Sequence, residues 1–174
     1  MIEPHWYRIA GLHTTDSGEI AMTWLALDRD SDVVHLYDAC VFRREVLAVV
    51  CEGINARGRW IPVAWEKNAK ALADELLSRG VNMTVEPAID DDPMSEIISR
   101  TIWERMRSSR FRVNRRLGEW LDEFKSFQRQ DNKIPRDTHP LMAATRHAMQ
   151  RMDDATRQEQ RRGAGALYPK LAIV

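Results

Sequence analysis

Two short stretches set an imidazole beside a carboxylate: His13 with Asp16 in Leu12-His13-Thr14-Thr15-Asp16, and Asp137 with His139 in Asp137-Thr138-His139-Pro140. A third acid, Glu66, lies in Trp65-Glu66-Lys67-Asn68. Imidazole and carboxylate are the groups of acid–base catalysis and of metal ligation; imidazole nitrogen suits Zn²⁺, Ni²⁺ or Cu²⁺, whereas Mg²⁺ demands hard oxygen ligands. Each acid also has a structural reading. Asp16 sits in Thr15-Asp16-Ser17-Gly18, a turn composition, Glu66 follows a strand-like run beside Lys67, and Asp137 is spaced to N-cap a following helix. A second chemical signal is basic: Arg100, Arg105, Arg107, Arg110, Arg112, Arg115 and Arg116 crowd an interval whose only acid is Glu104. Such a cluster can grip phosphates without reading bases, or form a solvated face paired to Glu96, Glu119 and Asp122.

The elements that must position these groups read as strands first and helices later. Residues 7–12, 19–27 and 33–41 are rich in Ile, Val, Trp and Tyr and are separated by turn compositions, which predicts an antiparallel three-strand meander. Val46, Val49, Val50 and Ile54 recur at helical spacing over 45–55 and Gly58 stops that helix before a strand-like 60–65. A second helix over 69–79 carries Leu72, Leu76 and Leu77, closes at Gly80, and leads to a fifth strand-like run over 81–86. Ser95 is the expected N-cap of a helix presenting Ile98, Ile102 and Met106. Leu117, Trp120, Leu121, Phe124 and Phe127 form another apolar stripe, and Leu141, Met142, Thr145, Met149 and Met152 a last one, all read as core packing.

The stretch His139-Pro140-Leu141-Met142-Ala143-Ala144-Thr145-Arg146 resembles the last nuclease-domain helix of tailed-phage terminase large subunits, especially the podophage headful-packaging branch, where the pattern runs roughly D-D-L-M-x-A-T-R. His139 and Pro140 stand where that pattern has its acids. Arg8-Ile9-Ala10-Gly11-Leu12-His13 resembles the opening strand of the same domain, which ends in a metal-binding Asp; this chain has His13. Trp60-Ile61-Pro62-Val63-Ala64-Trp65-Glu66-Lys67-Asn68 resembles I-P-V-A-W-P-x-D, with Asn68 in place of the terminal acid. Tyr37-Asp38-Ala39, residues 104–113 and Trp120-Leu121-Asp122-Glu123-Phe124 look like the same branch, so the resemblance spans about Trp6 to Met152.

The resemblance implies an RNase H-like α/β fold: a mixed five-stranded sheet, three antiparallel strands followed by two with helical crossovers, flanked by helices. It also implies that His13, Asn68 and His139 converge. Phosphodiester hydrolysis in that fold uses two divalent cations about 3.5–4 Å apart, Mg²⁺ or Mn²⁺ if the domain is active. Replacing the three acids removes their charge and substitutes imidazole nitrogen at two positions, so the expectation is a terminase nuclease-like domain that has lost two-metal cleavage and at most binds DNA or packaging partners. Asp16, Glu66 and Asp137 are the acids that could restore cleavage if they reached the old site, which gives an active metal-dependent endonuclease as the alternative. A transition-metal site at His13 and His139, with Glu66 or Asp137 as carboxylate, is a further alternative, and a non-catalytic interaction module or prophage remnant the last. Double-stranded DNA would be held by Arg105, Arg107, Arg110, Arg112, Arg115 and Arg116.

Composition bounds these readings without producing them. The 174 residues, 44% hydrophobic and 30% charged, suffice for one domain core, taken as 1–152 with a polar tail over 153–174 that frays from it. Lys plus Arg and Asp plus Glu both total 26, so any contact with nucleic acid must come from local patches. Cys40 and Cys51 follow no metal spacing and read as buried thiols rather than a disulfide. No long apolar run or basic leader supports membrane insertion or export, and the expected location is the bacterial host cytoplasm. G-x-x-x-x-G-K-[ST] does not occur, so a packaging ATPase would have to be a separate partner, as would a portal or small terminase.

Overall fold

In the computed structural model, which describes residues 2–128 and 134–158, five strands form one mixed sheet in the order β4-β1-β2-β3-β5. The strands are β1 (Tyr7–Thr14), β2 (Ile20–Asp28), β3 (Val33–Phe42), β4 (Val63–Ala64) and β5 (Phe111–Val113). The helices are α1 (Leu47–Ala56), α2 (Lys70–Ser78), α3 (Asp92–Arg107), α4 (Gly118–Ser126) and α5 (Pro140–Gln150). β1, β2 and β3 form the expected meander, and β4 and β5 join its two edges in parallel, beside β1 and β3 respectively.

Strand alternation divides the core into two layers. Ala10, Leu12, Met22 and Trp24 point to one face, where Val50, Cys51 and Ile54 of α1 and Ala73 and Leu76 of α2 cover them. Ile9, Ala21, Leu25, Val34 and Leu36 point to the other, packed against Ile102 of α3, Trp120 of α4 and Leu141, Met142, Ala144 and Ala148 of α5. Because both faces are covered, β1 and β2 read as nearly continuous apolar runs rather than alternating ones. α2 ends as its sequence dictates: Gly80 at φ 84° lets the Val81 amide reach back to the Leu76 carbonyl at 3.0 Å and the Gly80 amide to Leu77 at 3.0 Å.

Several expectations are corrected. The fifth strand of the sheet is Phe111–Val113, not 81–86; the latter segment makes only single bridges, Val63 with Met83 and Glu66 with Ala88. α3 is capped by Asp91, whose carboxylate accepts the Met94 amide at 2.8 Å, while Ser95 is buried inside the helix and donates to Asp90 Oδ1 at 3.0 Å. Asp137 does not cap α5. The Glu123 carboxylate of α4 takes that role, accepting the Leu141 amide at 3.2 Å and the Met142 amide at 2.9 Å. Burial pushes Glu123 up to about 7 against the pull of those two amides. Beyond 152, Ala155 joins the α5 side of the core, and Thr156 pairs with Arg8 through backbone hydrogen bonds of 2.6 and 3.1 Å. The expected tail over 159–174 lies outside the described residues.

Candidate functional site

His13 is the penultimate residue of β1 and shares the parity of Ile9 and Gly11, so its ring faces α5. β4 runs parallel to β1, and Glu66 follows its end by two residues. Glu66 in turn bridges Ala88 in parallel, which delivers Asp90 two residues later to the same end of the sheet. α5 lies across this face and presents His147 from its last turn. One ligand atom each from His13, Glu66, Asp90 and His147 thus falls in a set whose members all lie within 4.8 Å of one another. The carboxyl ends of parallel strands are where open α/β sheets generally place ligands.

These four side chains are largely or deeply buried, and their nitrogens are poorly satisfied. His13 is 3% exposed, Glu66 4% and His147 1%. Both ring nitrogens of His13 and Nε2 of His147 lack hydrogen-bond partners among the described residues. Carboxylates stand near them without the alignment of a hydrogen bond: His13 Nδ1 lies 2.9 Å from Glu66 Oε1, and His147 Nε2 lies 3.5 Å from Asp90 Oδ1. The other nitrogen of His147 decides its tautomer: Nδ1 sits 2.7 Å from the Leu12 carbonyl, which can only accept. Nδ1 therefore carries a proton, and Nε2, aimed into the cluster, presents a lone pair in the neutral ring and an N–H toward Asp90 in the protonated one. Arg136 Nε lies 2.9 Å from Asp90 Oδ2. Burial favours the neutral form of Asp90, but His147, Arg136 and Arg146 outweigh it and hold this carboxyl well below the usual carboxylate range.

The cluster opens into a cavity of about 640 Å³ lined by His13, Asp16, Glu66, Asn68, Asp90 and Asp137 among others. Asp137 Oδ1 is 3.8 Å from His13 Nε2. Asp16 is raised above its ordinary value by a hydrogen bond with Asp137 and by the charge of that neighbour. All three acids singled out from the sequence therefore line one pocket with His13 and Asn68. His139 goes elsewhere. Its Nε2 pairs with Ser126 Oγ at 3.0 Å, its Nδ1 with Thr138 Oγ1 at 2.9 Å, and its ring meets Phe127 edge-on. The expected His13–His139 pair is thus replaced by His13–His147, with ring centroids 5.7 Å apart.

The arginine cluster is not at this pocket. β5 sits at the far edge of the sheet, and Phe111 is level with Val34, Leu27 and Tyr7, whereas His13 is level with Ala21 and Val41. The length of β1 from Tyr7 to His13 and three strand spacings separate the two, roughly 20 Å along and 14 Å across. Two of the arginines are committed to internal pairing: Arg105 Nη2 and Arg110 Nη1 contact the two carboxylate oxygens of Asp32 at 2.9 and 3.1 Å. Arg107 lies over the exposed Trp103 ring at 4.7 Å. Arg112, Arg115 and Arg116 are exposed.

The fold recurs in solved structures. The P22 large terminase nuclease domain superposes with a TM-score of 0.80, at 20% identity, over 90% of this chain and 87% of that one. The chain has the large-terminase nuclease fold. The SPP1 large terminase nuclease domain with bound Mn gives a TM-score of 0.66 at 17% identity over 84% of this chain and 86% of that one. The large terminase nuclease of thermophilic phage G20c with bound zinc gives 0.58 at 19% identity over 86% and 84%. No family model and no curated protein matches the sequence.

At the positions that resemble the terminase acids the chain carries other groups, while Asp16, Glu66, Asp90 and Asp137 line the same cavity. Here the strand position is imidazole, Asn68 is an amide, and the start of α5 offers Pro140 and a His139 bonded to Ser126 and Thr138. Two members of the cluster, Asp90 and His147, are not among the residues that the sequence motifs single out. Asp90 is signalled faintly by Asp90-Asp91-Asp92, one acid more than a capped first turn uses. His147 is signalled by its place on the small-residue face of α5, between Ala144 and Ala148, where a polar ring needs a reason.

Proposed function

We propose that this chain is a nuclease-type domain of the phage DNA-packaging apparatus in which Mg²⁺-dependent two-metal cleavage has been lost and which engages DNA through its phosphates. The observation that supports it most is the combination of the large-terminase nuclease fold with His13, Asn68 and His139 at the positions that resemble that family's acids. Duplex DNA is the partner in this reading, in the host cytoplasm. A packaging ATPase, a portal and a small terminase are further partners in this reading. No helix among the described residues is long and apolar enough to cross a membrane.

The expected result is no nicking of supercoiled plasmid by purified protein in Mg²⁺ or Mn²⁺. A second reading, a working endonuclease, is favoured by one observation, the presence of Asp16, Glu66 and Asp137 in the same cavity as His13. Nicking that persists through purification and disappears in Asp16→Ala, Glu66→Ala or Asp137→Ala would establish that reading and overturn the first.

DNA engagement has its own test. Phosphate contacts from Arg107, Arg112, Arg115 and Arg116 make duplex affinity indifferent to sequence and steeply salt-dependent, because each neutralised phosphate releases condensed counterions. Replacing Arg112, Arg115 and Arg116 by Ala flattens the slope of log affinity against log salt by about 0.9 for each phosphate that is no longer neutralised. Arg105 and Arg110 are left out of this set because Asp32 already engages them. Absence of duplex binding at about 50 mM salt, where such contacts are strong, would leave an interaction module or a remnant as the surviving reading.

A further inference from the structure

We propose that His13, Glu66, Asp90 and His147 form a site for one borderline-soft divalent transition ion, of the Zn²⁺ and Co²⁺ class, in place of a pair of hard cations. The inference goes beyond the packaging reading, which requires no such ion. It stands first on the buried nitrogens that make no hydrogen bond. A buried nitrogen without a partner is costly, and among the described residues this cluster has three, His13 Nδ1 and Nε2 and His147 Nε2, of which each ring offers one lone pair. A metal ion satisfies such lone pairs.

The outer contacts of the ligands point the same way. The Leu12 carbonyl fixes the His147 tautomer with Nε2 directed inward, the arrangement that metal-bound histidines almost always have. The Thr14 amide and hydroxyl approach Glu66 Oε1 at 3.3 and 3.4 Å. Ser95 Oγ donates to Asp90 Oδ1 at 3.0 Å, while Arg136 lies against the other oxygen and offsets part of the charge that two buried carboxylates carry. Both carboxylates therefore have orienting partners supplied by elements other than their own.

Donor type then selects the ion. Two imidazole nitrogens and two carboxylate oxygens suit Zn²⁺ or Co²⁺, whereas Mg²⁺ keeps oxygen ligands and most of its water. A tetrahedral ion with bonds of about 2.0–2.1 Å holds its donor atoms roughly 3.4 Å apart. The four donor atoms, all within 4.8 Å of one another, lie close to that spacing. The exposed Asp16 and Asp137 line the same cavity.

The test uses the full chain, stripped by a chelator and free of nucleic acid, titrated with ZnCl₂ by calorimetry and with CoCl₂ by visible absorption. One equivalent of either ion binds, Co²⁺ shows the d–d bands of a four- or five-coordinate centre, Zn²⁺ displaces it, and Mg²⁺ in large excess does not. His147→Gln, His13→Asn and Glu66→Gln each weaken Zn²⁺ binding by roughly tenfold or more, while His139→Gln leaves it unchanged because His139 is bonded to Ser126 and Thr138. Circular dichroism identifies any variant that fails to fold, and the folded ones carry the result. Folded wild-type protein that binds no Zn²⁺, displacement of Co²⁺ by Mg²⁺, or unchanged affinity in the folded variants overturns the site. None of these outcomes depends on whether the chain cleaves or binds DNA.

Discussion

Gly11→Ala destabilises the domain by about 3 kcal/mol or more, at or beyond the upper end of ordinary overpacking. A Cβ at this position would stand 1.9 Å from the Ala144 carbonyl oxygen and 3.0 Å from Ala148 Cβ. The nearest obstacle is helix backbone, so no rotamer change relieves it; α5 must move bodily away from β1. That movement breaks more than packing, because the distance from α5 to β1 sets whether His147 Nδ1 reaches the Leu12 carbonyl. The measurement is the midpoint and slope of urea unfolding followed by tryptophan fluorescence. A stability within about 0.5 kcal/mol of wild type, the usual range for an innocuous substitution, would contradict the close approach of α5 to β1.

Trp120→Ala is expected to cost about 4 kcal/mol, within the range for removing a large buried aromatic. Trp120 is fully buried and stacked against Phe124, centroids 5.4 Å apart, with Phe111 at 6.5 Å on the sheet edge. Its Nε1 donates to Thr145 Oγ1 at 2.9 Å, and that hydroxyl donates to the Leu141 carbonyl at 2.7 Å. The indole therefore joins α4, α5 and β5. Trp120→Phe separates the two contributions: it keeps most of the apolar volume, leaves Thr145 Oγ1 without its donor, and should cost about 1–3 kcal/mol. Equal losses of stability in the Phe and Ala variants would mean that the hydrogen bond, rather than the buried volume, dominates.

Both positions show how the site is built. α5 carries small residues, Ala143, Ala144 and Ala148, all at 0% exposure, which let it lie close over β1. Glu123 of α4 fixes its first turn, and Trp120 of the same helix fixes its middle. A helix held at both points places His147 with little freedom, which is what a ligand site needs.

Residue order alone specifies the meander, the helices α1 and α2, and the apolar stripes of α3, α4 and α5, because period 2 and period 3.6 burial are local patterns in residue type. It also shows that His13, Asn68 and His139 are not acids, and it singles out Asp16, Glu66 and Asp137 as pocket candidates. Which residues share the site depends on packing between distant segments. Residues 81–86 and Phe111–Val113 are equally strand-like, and the choice between them as fifth strand rests on pairing with β3, a non-local contact. Asp137 and Ser95 have the local signature of caps, yet Glu123 and Asp91 supply those caps through the packing of α4 and the course of the loop before α3. Asp90 and His147 are marked only faintly in the sequence for the same reason. Their partners, His13 and Glu66, are distant along the chain, and nothing short of the close approach of α5 to β1 brings four such side chains within one ion's reach.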